Sequence, residues 1–121
     1  MRILIVEDEP ITAMSEHEIL KGLGYEITAI VLSGEAAIQL VDEDKPDLIL
    51  MDIKLSGDMD GTVAARKIRE RHDIPIIFIT AYGDKDLSNP DELDIPEGYS
   101  YIVKPFTGAE LANTIRRLTG T

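Results

Sequence analysis

The sequence predicts an α/β fold with a parallel sheet, built from five successive strand–helix units. Apolar runs of strand length alternate along the chain with longer amphipathic segments. Residues 48–51 and 76–79 are continuously apolar, without the alternation typical of a half-exposed strand, which indicates strands buried on both faces. Because strand–helix–strand crossovers are right-handed and join parallel strands, the repeated unit predicts one parallel sheet.

The first two units are marked by helix-start signals. A strand at residues 2–6 precedes a helix that begins at Pro10 and runs to about Gly22. Proline suits the first turn of a helix, and the acidic residues before it suit the helix dipole. The side chains that we expect this helix to bury are Ile11, Met14, Ile19, Leu20 and Leu23. A second strand at residues 26–31 leads to a helix capped by Ser33.

The remaining units follow the same pattern, with one interruption. Asp60 caps the helix after the third strand, and residues 76–80 form the fourth strand. Two prolines and two glycines lie within residues 83–98, so the helix expected there is short or irregular. A fifth strand at residues 99–103 precedes a last helix, which begins with the capping box Thr107-Gly108-Ala109-Glu110.

Composition limits the classes of function. The 121 residues suit a single domain spanning 1–121, and the absence of cysteine excludes disulfides and thiol chemistry. With 12 basic and 23 acidic residues the formal charge is −11, which disfavours direct binding to nucleic acid. No apolar run reaches membrane-spanning length and no secretory signal is evident, so we expect a cytoplasmic protein without a membrane partner.

Polar side chains follow four of the predicted strands. Glu7 and Asp8 follow the first strand, Asp52 ends the third, Thr80 the fourth and Lys104 the fifth. Ligands of parallel α/β sheets bind beyond the carboxyl ends of the strands, so these side chains should lie together. Three carboxylates at one edge repel one another unless protons or a cation separate them. Carboxylate oxygens favour a hard divalent ion, and an open site suits Mg²⁺.

A cation, a lysine and a hydroxyl around one carboxylate provide what a transferring phosphoryl group needs. In this interpretation Asp52 is the nucleophile and forms an acyl phosphate. Each residue also has an ordinary explanation: the acidic residues can favour a helix start, and Thr80 and Lys104 can be strand and surface residues. Their coincidence at matching strand ends favours the site.

Five short motifs carry a resemblance to a known family, and they occur in order along the entire chain. They are Glu7-Asp8, Met51-Asp52, Asp60-Gly61, Thr80-Ala81 and Lys104-Pro105-Phe106. Together they resemble the CheY-like receiver domain of two-component response regulators. The resemblance implies a doubly wound, flavodoxin-like, three-layer α/β/α fold with strand order 2-1-3-4-5.

The resemblance also implies ligands and a partner. A sensor histidine kinase or phosphotransfer protein would donate a phosphoryl group to Asp52. Mg²⁺, with Mn²⁺ as a substitute, would be bound by Asp8, Asp52 and the backbone carbonyl of Lys54, with Glu7 acting largely through water. The chain would then be a phosphoacceptor that assists its own phosphorylation and dephosphorylation, without turnover of a separate substrate.

A conformational switch is implied as well. Thr80, Lys104 and the backbone N–H of Ala81 would contact the phosphoryl oxygens, and Tyr101 would follow the Thr80 hydroxyl inward. The Lys104–Pro105 peptide bond is expected to be cis. A downstream partner would bind the face of strand five and the last helix, and a phosphorylation-dependent homodimer is a further option.

The loop after Asp52 departs from the family pattern. Receivers commonly carry Met-Pro where this chain has Leu55-Ser56, and they have one residue fewer before Asp60-Gly61. This difference concerns the geometry of the turn rather than the chemistry.

Three other functions compete with this interpretation. A flavin protein of the same fold would need a phosphate-binding loop after strand one, where Glu7-Asp8-Glu9 would repel phosphate. A Mg²⁺-dependent phosphohydrolase or nuclease usually needs a second carboxylate two residues after the first, where this chain has Lys54. An interaction module that is never phosphorylated would not need Asp52, Thr80 and Lys104 together.

Overall fold

The structure, a computed structural model, describes residues 1–55, 57–81 and 98–120. Strands and helices alternate along these residues. They are β1 (Arg2–Val6), α1 (Pro10–Gly22), β2 (Glu26–Val31), α2 (Gly34–Glu43), β3 (Leu48–Asp52), α3 (Gly61–Arg69), β4 (Ile76–Ala81), β5 (Tyr99–Lys104) and α4 (Gly108–Thr119). The short or irregular helix expected between β4 and β5 lies outside the described residues.

The five strands form one parallel sheet in the order β2-β1-β3-β4-β5, which confirms the predicted topology. This order places β1 and β3 side by side, with Val6 opposite Met51. The first residues beyond β1 therefore lie next to the last residue of β3. The carboxyl edge of the sheet, where all five strands end, is thus the place where the polar strand ends meet.

Helices cover both faces of the sheet, as the continuously apolar strands predict. In β3 the side chains of Leu48 and Leu50 pack with α1 and α4, and those of Ile49 and Met51 pack with α2 and α3. All four are buried, and each such side chain contributes about 2 kcal/mol to the hydrophobic stabilisation of the fold. The central strand therefore holds the three layers together and fixes the position of Asp52 at its end.

The predicted helix caps are confirmed. Ser33 and Asp60 each accept a hydrogen bond from a backbone N–H in the first turn of α2 and α3, at 3.1 and 3.0 Å. Thr107 and Glu110 form the complete capping box of α4. Each cap contributes about 1 kcal/mol, and together they define where three of the helices begin.

The predicted inner face of α1 is wrong in part. Ile11 is 79% exposed, Met14 is 59% exposed and Leu23 also lies at the surface. The side chains that α1 buries are Ala13, Glu16 and Leu20. Their spacing is that of one helix face. Because the middle position of this face is a glutamate, the pattern of apolar residues does not indicate it.

None of the helices in the described ranges is long and apolar enough to span a membrane.

Candidate functional site

The carboxyl edge brings three carboxylates together. One oxygen each of Glu7, Asp8 and Asp52 lies within 4.8 Å of the others, and we call these three residues the acidic cluster. Glu7 is only 1% exposed, whereas Asp8 and Asp52 are half-buried. The cluster forms because β1 and β3 are neighbours that end at the same level of the sheet.

Lys104 reaches this cluster from the end of β5. Its Nζ donates a hydrogen bond to Oε1 of Glu7 at 3.2 Å, and the side chain is partly buried. The other oxygen of Glu7, Oε2, accepts a hydrogen bond from the backbone N–H of Glu9, also at 3.2 Å. Glu7 is therefore fixed from two sides, which is how a buried carboxylate avoids the large cost of unpaired charge.

Asp52 lies in an electrostatically unfavourable place. Burial, and next the neighbouring Glu7, raise the pKa of Asp52 to about 7. Lys104 and the backbone N–H of Lys54 act in the opposite direction, and the latter makes only a long hydrogen bond of 3.4 Å to Oδ1 of Asp52. A cation beside Asp52 would relieve the repulsion between the Asp52 and Glu7 carboxylates.

Thr80 and Ala81 end β4 beside the acidic cluster. Asp52 pairs with Ile79 in the sheet, so Thr80 lies one residue further along the neighbouring strand. Its side chain is 3% exposed. Ala81 pairs with Lys104, which brings the backbone end of β4 next to the lysine. The sheet register therefore brings Asp52, Thr80 and Lys104 to the same edge of the sheet.

Tyr101 lies on the same face of the sheet as Thr80. It pairs with Phe78, two residues before Thr80, and side chains two apart in a strand share a face. The rings of Tyr101 and Phe78 stack with centroids 5.2 Å apart. Tyr101 is half-buried, and burial followed by the nearby Tyr99 raises its pKa. The Lys104–Pro105 bond is cis, as expected.

The loop after Asp52 folds back onto β3. The backbone N–H of Gly61 donates to the carbonyl oxygen of Ile53 at 2.8 Å. A Cβ atom at Gly61 would overlap the backbone carbonyl of Asp52, so only glycine permits this close approach. Leu55 packs against the core beneath α2 and α3, while Ser56 lies outside the described residues. The unusual loop sequence is thus compatible with an anchored Asp52.

Sequence reasoning missed one residue near this site, Glu16 of α1. It is 2% exposed, and neither of its carboxylate oxygens accepts a hydrogen bond from an N–H or hydroxyl group among the described residues. Burial, and next the charge of Glu7, raise the pKa of Glu16 to about 8, with Lys104 acting in the opposite direction. The signal that could have revealed it is its spacing, three residues after Ala13 and four before Leu20.

The donor set fits a magnesium ion. Carboxylate oxygens are the hard ligands that Mg²⁺ prefers, and one or two carboxylates with water or phosphate oxygens are a common ligand set. The raised pKa of Asp52 shows that the cluster favours added positive charge. The acidic cluster therefore has both the chemistry and the electrostatics of a divalent cation site.

Comparison with known proteins identifies the class. The family model for the response regulator receiver domain matches residues 3–116, and the chain belongs to this family. The transcriptional regulatory protein PdtaR of Mycobacterium tuberculosis is 36% identical over 114 residues, covering 94% of this chain and 54% of that protein. The phyllosphere-induced regulator PhyR of Methylorubrum extorquens is 35% identical over 114 residues, covering 93% of this chain and 41% of its own length.

Solved structures of receiver domains are also similar to this chain. The receiver domain of sensor histidine kinase PA1611 from Pseudomonas aeruginosa, solved with a magnesium ion coordinated in the active site cleft, is 34% identical with a TM-score of 0.83. The match covers 99% of this chain and 98% of that one. The solution structure of the Erythrobacter litoralis PhyR receiver domain is 33% identical with a TM-score of 0.82, and the match covers 98% and 89% of the two chains.

The family gives a coarse functional description. Receiver domains are parts of two-component systems, in which phosphorylation, Mg²⁺ binding at an acidic pocket and contact with histidine kinases or phosphotransfer partners are general features. They are generally not enzymes that turn over a separate substrate. This chain spans about half the length of the curated relatives it matches.

Proposed function

We propose that this chain accepts a phosphoryl group on Asp52 from the phosphohistidine of a sensor histidine kinase or phosphotransfer protein, in a Mg²⁺-dependent reaction. The observation that carries the proposal is the convergence at the carboxyl edge: three carboxylates within 4.8 Å of one another, and Lys104 in contact with one of them. Asp52 is the cluster member that ends the central strand, where the packing of β3 holds it in place.

In the proposed reaction, a carboxylate oxygen of Asp52 attacks the phosphorus atom of phosphohistidine. A phosphorus–oxygen bond forms as the phosphorus–nitrogen bond breaks, and the released imidazole takes up a proton. The Lys104 ammonium, the Thr80 hydroxyl and the backbone N–H of Ala81 contact the phosphoryl oxygens. Support comes from the sheet register, in which Asp52 pairs with Ile79, the residue before Thr80, and Ala81 pairs with Lys104.

The metal would be held by Asp8, Asp52 and the backbone carbonyl of Lys54, with Glu7 acting largely through water. When bound, Mg²⁺ or a substituting Mn²⁺ neutralises charge on the carboxylates and on the phosphoryl oxygens. Without the metal, hydrogen bonds from Lys104 and the backbone N–H of Glu9 hold the Glu7 carboxylate beside the other two.

We further propose that Thr80 and Tyr101 form the switch. Contact of the Thr80 hydroxyl with the phosphoryl group would shift an equilibrium between two conformations, and Tyr101 would follow because it lies on the same face of the adjoining strand. A downstream partner, or a second copy in a phosphorylation-dependent homodimer, would bind the face of β5 and α4. Residues 1–121 would act as one receiver domain in the cytoplasm.

Acetyl phosphate tests the proposed function. The protein is incubated with acetyl phosphate and Mg²⁺, and its intact mass is measured. We expect one phosphoryl adduct in the wild type, none in Asp52→Ala or in EDTA, and an undiminished adduct in the exposed-loop control Asp58→Ala. Absence of both an adduct and phosphate release in the wild type would favour the interaction module, and steady phosphate release without any adduct would favour the phosphohydrolase.

A further inference from the structure

Glu16 occupies a position on α1 where an apolar side chain would be expected. It lies on the buried face between Ala13 and Leu20, and it is as inaccessible as they are. An aliphatic side chain at this position would pack without burying polar atoms, whereas neither oxygen of Glu16 accepts a hydrogen bond from an N–H or hydroxyl group in the described part of the chain. Packing alone therefore does not explain a glutamate here.

The surroundings of Glu16 connect it to the acidic cluster. Its carboxyl group interacts electrostatically with Glu7, Lys104 and Asp52. Together with Lys104 it also lines a cavity of about 350 Å³ between α1 and the segment after β5, where Thr12 and Ser15 add hydroxyl groups. Glu16 and Glu7 thus both lie near one ammonium group, that of Lys104, which hydrogen-bonds Glu7.

We propose that Glu16 is a positioning residue of this site, which acts through Lys104 and Glu7 and strengthens the binding of a divalent cation by the acidic cluster. The inference rests on the proposed function. Glu16 is not itself a ligand, because the oxygens that converge within 4.8 Å belong to Glu7, Asp8 and Asp52.

Competition for Glu7 explains how Glu16 acts. The Lys104 ammonium occupies Oε1 of Glu7, and a divalent cation beside Glu7 repels that ammonium. The Glu16 carboxylate, which lines the cavity, can then bind the displaced ammonium. The Glu7 carboxylate is thereby free to interact with the divalent cation. Groups that orient metal ligands without touching the metal typically change metal affinity 10–100-fold when they are removed.

The test is a direct measurement of Mg²⁺ affinity by isothermal titration calorimetry at pH 9, where the Glu16 carboxyl group, with its pKa of about 8, is mostly ionised. We expect Glu16→Gln to raise the Kd of Mg²⁺ about tenfold, the lower end of that range because glutamine keeps the shape of the side chain. The matched control is Glu18→Gln, which removes the same charge from an exposed position of the same helix and should change the Kd less than about twofold.

A double-mutant cycle tests the route through Lys104. In the Lys104→Met background, Glu16→Gln should have little effect on the Kd, because the ammonium that Glu16 attracts is missing. The same tenfold change in both backgrounds would overturn the proposed route. Equal Kd values for Glu16→Gln and Glu18→Gln would overturn the proposal as a whole.

Folding is checked separately by urea unfolding in EDTA, with Glu16→Leu as a second variant. We expect Glu16→Leu to unfold at a higher urea concentration than the wild type and yet to bind Mg²⁺ more weakly, a combination that a purely structural role would not produce. If both variants failed to fold, Glu16 would be structural and the proposal wrong.

The phosphoryl adduct distinguishes failure of this inference from failure of the proposed function. If the wild type formed no phosphoryl adduct, the proposed function would be wrong. A normal adduct together with unchanged Mg²⁺ binding in Glu16→Gln would reject only this inference.

Discussion

Replacement of Asp52 by asparagine should stabilise the metal-free protein at pH 8, although it removes the proposed phosphorylation site. Burial and then Glu7 raise the pKa of Asp52 from 3.8 to about 7. Between these pH values the folded protein holds a proton that the unfolded chain has released, so the free energy of unfolding falls as pH rises. The full pKa difference corresponds to about 4 kcal/mol. Solvent screening of the half-buried side chain reduces the expected gain to ~2 kcal/mol.

The assay is urea unfolding in EDTA at pH 5 and pH 8. Asp52→Asn should increase the free energy of unfolding most at pH 8 and less than half as much at pH 5. At pH 5 the unfavourable ionisation of Asp52 reduces the stability of the wild type only in part. The control Asp58→Asn removes an exposed carboxylate from the nearby loop and should leave stability unchanged within about 0.5 kcal/mol. Equal stabilities of wild type and Asp52→Asn at pH 8, or an equal gain in Asp58→Asn, would refute the reasoning.

Three further outcomes follow from the same structure. Gly61→Ala should lower the free energy of unfolding by about 3 kcal/mol and impair phosphorylation, because the new Cβ meets the backbone of Asp52. The control Gly22→Ala places a Cβ in open space at the end of α1 and should instead stabilise the protein by ~0.5–1 kcal/mol. Thr107→Ala should cost about 1 kcal/mol in urea unfolding through loss of the α4 capping box, with an unchanged phosphoryl adduct. Mg²⁺ at about 100 times its Kd should add roughly 2.7 kcal/mol at pH 8, and EDTA should remove this gain.

Much of the fold could be predicted because each strand and cap has a local signal. Continuous apolar runs identified the buried strands, and Ser33, Asp60 and Thr107 identified helix starts. The strand order had no such signal, because apolar runs do not specify their neighbours in a sheet; it came only from the family resemblance. The prediction of the inner face of α1 was wrong for a different reason. Glu16 occupies a core position of this helix, and apolar residues alone do not indicate it.

The candidate site could be assembled in outline from the sequence because parallel strands end at one edge. That rule places Glu7, Asp52 and Lys104 near one another without any knowledge of distances. It says nothing of side chains that enter the site from the middle of a helix, which depend on how the helix is rotated against the sheet. Glu16 belongs to this second kind, and only the packed structure reveals that its carboxyl group lies near Lys104.

The same charges link the stability of this domain to its proposed activity. Burying Glu7 and half-burying Asp8 and Asp52 within 4.8 Å of one another costs free energy in a protein without a metal. A domain that only bound a partner through its surface would gain nothing from this arrangement and would be more stable with neutral side chains. A phosphoacceptor does gain, because clustered carboxylates attract the cation that lets an anionic phosphoryl donor approach Asp52. Substitutions that neutralise the cluster should therefore stabilise the metal-free fold and weaken Mg²⁺ binding together, whereas a purely structural cluster would show the first effect without the second.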